Sequence, residues 1–295
     1  MKSKLLIIIT LFMCLHADAQ LMMAEKGKNT LVFKELMKSE VGMYLGDNEE
    51  INEQITEAFE NYWTVTPYRL LTKDDYNQYQ RDEHKFFISL LTLISSESEE
   101  SSYFVLMNGL NKSSISFDQF ICYVPVDRYY EYKFDNMMRR IDYMVSSMND
   151  ALQMVKDGTY PDTKKNNMEP GMAAMSKNAA VLKEKTLLIP REIINVGILD
   201  FKDMKNYLNK ELFDKDAFGD YPYKYQIMPY SEIEKIEDLS KYCLLIPAGH
   251  PIAIYFTVYD METKKVVLMT QANKIVTSQV KSSHIKKITE AINGE

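Results

Sequence analysis

The sequence predicts an α/β chain of the α+β type, made of two tandem β-α-β-(α)-β-β-β-α units, each a mixed sheet covered on one face by helices. Three observations predict it. Residues 241–271 hold three β-rich runs, separated by a Pro-Ala-Gly-His-Pro break and by a charged Asp-Met-Glu-Thr-Lys turn. Residues 85–124 go through the same order: KFFISLLTLI, a polar Ser/Glu loop, SYFVLMNGL, a second loop and QFICYV. Matching residues also recur at a near-constant separation, 156 for Thr30 and Thr186, 157 for Tyr68 and Tyr225, 156 for Lys85 and Lys241, and 152 for Tyr103 and Tyr255. Tandem duplication produces that regularity.

The first unit is expected over residues 28–158. TLVF (30–33) reads as its short buried strand, and Asp47 or Asn48 can cap a helix carrying Ile51, Ile55 and Phe59 at i, i+4, i+8. Residues 64–72 give a strand ending in LLT, 73–82 a polar helical turn, and three strands follow. Residues 132–157 close the unit with a helix whose apolar positions, Phe134, Met138, Ile141, Val145, Met148, Leu152 and Val155, alternate spacings of four and three. Residues 159–183 have lost periodicity and read as a linker.

The second unit, 184–295, repeats the order. TLLI (186–189) answers TLVF, Met204, Leu208 and Leu212 answer the first helix, YQIM (225–228) answers YRLL, and residues 282–292 supply the closing helix. Strand 255–259 is expected to be half exposed, and 266–269 buried throughout.

The first 19 residues put Lys2 and Lys4 before an apolar run over 5–15 and end in Ala17-Asp18-Ala19, the layout of a cleaved secretory signal. Met13 before Cys14 departs from a lipobox, so cleavage before Gln20 is favoured over a lipid anchor. The remainder carries 33 basic and 41 acidic side chains, which argues against a nucleic-acid surface. The expected location is an exported compartment, the periplasm or the outer membrane's periphery, with no transmembrane segment. Cys122 and Cys243 then remain, and two separate buried thiols is the ordinary expectation over a bridge.

The order of elements resembles the TolB N-terminal module and the related CsgG-like exported domains. The residues that carry the likeness are TLLI, the helix after it, YQIMPYSEIEKIEDL, the strand near Lys241 and the hairpin YFTVYDMETKKVVL, with Asp260 in the family's acidic place and Lys264 where the family often has Gly. The resemblance implies a non-enzymatic part in envelope assembly, secretion or partner binding, and brings no catalytic residues.

No Gly-rich phosphate loop, Gly-x-Ser-x-Gly, His-Glu-x-x-His or Cys-x-x-Cys motif is present, so no catalytic, cofactor or metal residue is assigned. His84, flanked by Asp82 and Glu83, reads as a strand entrance rather than a metal site, His250 as a turn histidine, and Glu97, Glu99 and Glu100 as a solvated loop. The interface candidates, for an envelope protein partner or for self-association, are Met138, Ile141, Val145, Met148 and Leu152 on the long helix, whose alternative is a core role, together with the groove between the repeats near Trp63 and Tyr68. The contrasting reading is a glycan-binding or glycan-active protein stacking sugars on Tyr129, Tyr130, Tyr221 and Tyr223. An enzyme assembled from distant loops stays open.

Overall fold

The computed structural model describes residues 22–23, 30–44, 46, 49–96, 99–110, 119–126, 140–160, 169–191, 221–250, 253–272 and 282–294. They form two compact units, one within residues 20–160 and one within 161–295. The first contains β1 (Met22–Met23), α1 (Thr30–Leu36), β2 (Val41–Tyr44), α2 (Glu49–Tyr62), β3 (Tyr68–Leu71), α3 (Lys73–Tyr79), β4 (Phe86–Ser96), β5 (Glu99–Asn108), β6 (Phe120–Val126) and α4 (Ile141–Lys156). Its sheet order is β1-β6-β5-β4-β2-β3. β2 runs parallel to both neighbours, and the remaining pairs are antiparallel.

The second unit contains α5 (Glu169–Met175), a 3-10 turn (Ala179–Lys183), β7 (Thr186–Pro190), β8 (Tyr225–Met228), α6 (Tyr230–Ile233), β9 (Tyr242–His250), β10 (Ala253–Asp260), β11 (Val266–Ala272) and α7 (Ser282–Asn293). The sheet order β11-β10-β9-β7-β8 matches the first unit without β1. β7 is likewise parallel to both its neighbours. The chain therefore has the expected α/β class in two similar mixed-sheet units.

Backbone register fixes the match residue by residue. The Val41 N–H donates to Pro67 O and the Leu187 N–H to Lys224 O, both at 2.9 Å. Val41 pairs with Tyr68 and Phe86, and Leu187 with Tyr225 and Cys243. Tyr68 thus answers Tyr225, and Asn108 answers Asp260 because they face Phe86 and Cys243 respectively. Lys85 answers Tyr242, one residue beyond the expected Lys241.

One expected strand is a helix. TLVF opens α1, in which Phe33 and Leu36 are buried three residues apart while Leu31 is 77% exposed. That is a helical face, invisible in four residues but clear once Leu36 is included. The strand that answers TLLI is VGMY, and α1 answers the 3-10 turn, Leu36 matching the equally buried Leu182. Gly42 lets β2 in, because a Cβ there would sit 2.5 Å from Leu71 Cδ1 and 2.8 Å from Tyr79 Cε1.

Helices flank both faces of the first sheet, not one. Phe59 of α2 packs on Tyr68 at 5.1 Å between ring centroids. On the opposite face Tyr76 of α3 stacks on Tyr44 at 4.0 Å and meets Phe87 edge-on at 5.3 Å. Alternation along a strand assigns these contacts to opposite sides. The same burial corrects the expectation for residues 256–259: Phe256, Thr257, Val258 and Tyr259 are all buried in β10, the second strand from its edge. Residues 266–269 of β11 are buried as expected.

Three connecting stretches prove more structured than the sequence suggests. Within 159–183, Met175, Ala179 and Leu182 are buried, and the Ser176 hydroxyl accepts from Met269 N–H at 3.0 Å and donates to Met269 O at 3.2 Å. Residues 169–183 are therefore part of the second unit, not a spacer. The Ser/Glu loop is mostly strand, since pairing runs out to Ser96 and Glu99. Likewise the Pro-Ala-Gly-His stretch extends β9, with His250 facing Ala253.

After β5 the chain turns hard against α3. Gly109 N–H donates to Lys85 O at 2.9 Å and Leu110 N–H to Gln80 O at 2.8 Å. A Cβ on Gly109 would collide with the carbonyl oxygens of Tyr79 and Asp82, and backbone cannot yield as a side chain can. Gly109→Ala is expected to destabilise the first unit by about 3 kcal/mol in urea unfolding. Gly46→Ala, in open space, should stay within about 0.5 kcal/mol.

Candidate functional site

The strongest polar arrangement in the described interior lies in the second unit. β10 ends at Asp260, opposite Cys243, and Lys185 enters β7. Lys185 Nζ donates to Asp260 Oδ2 at 2.6 Å, with side chains 17% and 9% exposed. Asp260 Oδ1 accepts from the backbone N–H groups of Glu262 at 3.0 Å and Thr263 at 3.1 Å. Asp260 N–H donates to Lys265 O at 2.9 Å, closing the hairpin. Glu262 Oε2 stands 3.6 Å from Lys185 Nζ as a second, exposed carboxylate.

Burial alone would raise the Asp260 carboxyl, but the Lys185 hydrogen bond and the two backbone N–H groups outweigh it and hold it below its ordinary value. Burial likewise opposes the Lys185 ammonium, and Asp260 outweighs it, so that group is raised. Both stay ionised at neutral pH. Burial, reinforced by Asp260, pushes the Cys243 thiol up to about 12, so it stays protonated and is a poor nucleophile. Burial does the same to Cys122. The two thiols are free and sit in different units.

This arrangement ties three segments together: the 3-10 turn before β7, the end of β10 and the turn into β11. Lys264 in that turn adopts φ 57°, the left-handed conformation for which glycine is the usual choice. Asp260 holds the turn closed around it. At the matching place in the first unit, Asn108 donates through Nδ2 to Glu83 O at 3.1 Å, while its Oδ1 is buried without a hydrogen-bond partner. One position thus serves an ion pair in one unit and a neutral amide in the other.

Five of the sequence-predicted interface residues, Ile141, Val145, Met148, Leu152 and Trp63, are interior. Ile141 is 2% exposed, and Val145, Met148 and Leu152 are fully buried on α4, which packs on α2 and β6. The stripe therefore builds its own unit's core and offers no surface. α4 is anchored by Asn149, whose Oδ1 accepts from Thr64 N–H at 2.8 Å and Val65 N–H at 3.0 Å. Trp63 is buried, its ring 5.1 Å from Phe59 and its Nε1 donating to Thr66 Oγ1 at 3.1 Å. Tyr68 is half-buried on Phe59.

The tyrosine cluster packs on itself. Tyr221 is buried with its ring edge-on to Tyr223 at 5.7 Å and Tyr225 at 6.0 Å, and Tyr223 donates through its hydroxyl to Asn293 Oδ1 at 2.7 Å. His84 is exposed and 2.7 Å from Glu35 Oε1, a contact that raises its pKa. No group of three or more His, Cys, Asp or Glu side chains among the described residues is placed to hold a metal ion. Residues 1–19, Cys14, Glu97, Tyr129, Tyr130, Phe134, Met138 and the expected helix at 203–212 lie outside the described residues, as do the side chains of Glu99, Glu100, His250 and His284. Sequence reading missed Lys185, although its position just before TLLI places it beside whatever residue ends β10.

Comparison with family models, with curated proteins and with solved structures gives no match to this chain. Among the described residues no helix is long and apolar enough to cross a membrane.

Asp260→Asn keeps an acceptor for the backbone but strands the Lys185 ammonium, and should cost about 3 kcal/mol of second-unit stability. The folded pKa of Asp260 is lowered, so its contribution is complete above the unfolded value near ~4 and is lost as pH falls through the folded one. Thermal unfolding from pH 7 to pH 2 should therefore fall less steeply below about pH 4 in Asp260→Asn than in the parent.

Proposed function

We propose that this chain is a non-enzymatic binding or assembly component of a bacterial cell envelope, exported by its leader-like first 19 residues and acting through protein–protein contacts. The observation that carries the reading is a pair of leucines on one sheet rim. Leu70 on β3 and Leu90 on β4 are each 41% exposed. Register puts both on the face shared with Met43 and Ile88. Single exposed leucines are ordinary; two on one face beside unpaired backbone form a surface for a protein partner.

The likeness to TolB N-terminal and CsgG-like modules supports the same role by analogy of element order. The ionised and thiol groups of the interior point the same way, since Asp260 and Lys185 are committed to each other and Cys243 is held protonated. The glycan alternative gains no support from Tyr221 and Tyr223, whose rings meet edge-on.

A photo-crosslinking residue placed at Leu70 in the exported chain tests the reading. A discrete protein adduct is expected, absent when the residue is placed at the buried Leu152 position. No adduct, together with saturable binding of an envelope glycan that Tyr223→Ala weakens, would overturn it in favour of the glycan reading.

A further inference from the structure

The two units differ along one sheet edge. β2 pairs with β4 only at Phe86, Phe87 and Ile88, yet β4 continues to Ser96 with β5 on its other side. Among the described residues, no strand pairs with the outer edge of β4 over residues 89–96. At ~3.3 Å per residue that edge is about 26 Å long.

In the second unit β7 pairs with β9 only at Tyr242, Cys243 and Leu244, and among the described residues no strand pairs with that edge over residues 245–250. There the position matching Leu90 is Pro247, and Gly249 follows. Proline lacks the N–H that an added strand needs, and both residues weaken an edge as a template. The first unit has no such guard: residues 86–96 contain no proline, glycine or charge. Leu90 is 41% exposed and Leu91 half-buried.

The unguarded edge reads Ser89-Leu90-Leu91-Thr92-Leu93-Ile94-Ser95. Polar and apolar residues follow the same order in both directions about Thr92. A second copy laid antiparallel pairs Leu90 with Ile94, Leu91 with Leu93, and Thr92 with its own counterpart. A two-fold interface requires such self-matching, and Thr–Thr and aliphatic cross-strand pairs are favourable. The chain carries net charge −7, but no like charges oppose one another on this segment.

We infer that the outer edge of β4, residues 90–94, is a β-addition site for a second copy of this chain, paired antiparallel about a two-fold axis at Thr92. This names the partner of the binding role proposed above and rests on that reading. Pairing there would continue the first unit's sheet from one copy into the next.

Sedimentation equilibrium of the purified chain, with folding checked by circular dichroism, tests it. Leu90→Lys changes an exposed side chain twice per dimer and should raise the dimer dissociation constant by about tenfold. Directly opposed antiparallel residues have Cα atoms about 4.5–5.5 Å apart, within disulfide reach. Thr92→Cys should therefore cross-link to itself on mild oxidation. Leu90→Cys alone should not, and Leu90→Cys with Ile94→Cys should. A chain monomeric at about 100 µM, or a dimer indifferent to Leu90→Lys in which Thr92→Cys stays uncross-linked, overturns the proposal. If such a monomer still forms a protein adduct at Leu70, self-pairing falls and the binding reading stands; if it forms none, both fall.

Discussion

Each unit depends on one short strand, β2 or β7, that must be hydrogen-bonded along both edges and buried on both faces. Val41 and Leu187 are fully buried, and each pairs in parallel with the strands on either side. Parallel pairing needs crossover connections, which in the first unit contain the helices α2 and α3. Burial on two faces then requires helices on both sides, which α2 with α4 and α3 provide in the first unit. Because β2 has four residues and β4 has eleven, closing the centre this way leaves much of the β2-side edge of β4 without a paired strand among the described residues. The open edge follows from the length mismatch.

The units share this frame and differ in how they secure its corners. The residue that ends β5 or β10 turns its side chain on backbone outside its own strand, Asn108 on the turn before β4 and Asp260 on the turn beyond β10. Asn108 does so with one amide, next to a Gly109 pressed against backbone. Asp260 does so with a carboxylate that needs Lys185 to offset its burial. A buried ion pair is not in itself a large source of stability; here it fixes which segments meet. The far edge shows a similar substitution. β1 pairs Met22 with Tyr123 in the first unit, while the Ser176 hydroxyl bonds both backbone groups of the matching Met269 in the second.

Much of the fold was legible in the sequence because duplication reports itself through spacing. The Tyr68–Tyr225 and Tyr103–Tyr255 matches hold in the backbone register. The Thr30–Thr186 match does not, since four residues cannot distinguish a buried strand from the first turn of a helix. The candidate site was less legible. Asp260 stood out through its hairpin, but Lys185 becomes its partner only once β7 lies beside β9. The α4 stripe was read correctly as periodic, and its burial follows from packing on α2, which periodicity alone cannot decide between core and interface.

The central claim is that residues 20–160 and 161–295 each carry a complete sheet with its own paired central strand. The most direct test is to produce the two segments separately and follow unfolding by circular dichroism and tryptophan or tyrosine fluorescence. The account predicts that each segment unfolds in its own cooperative transition, with the 161–295 transition alone responding to Asp260→Asn. Two segments that both lack a cooperative transition would contradict it.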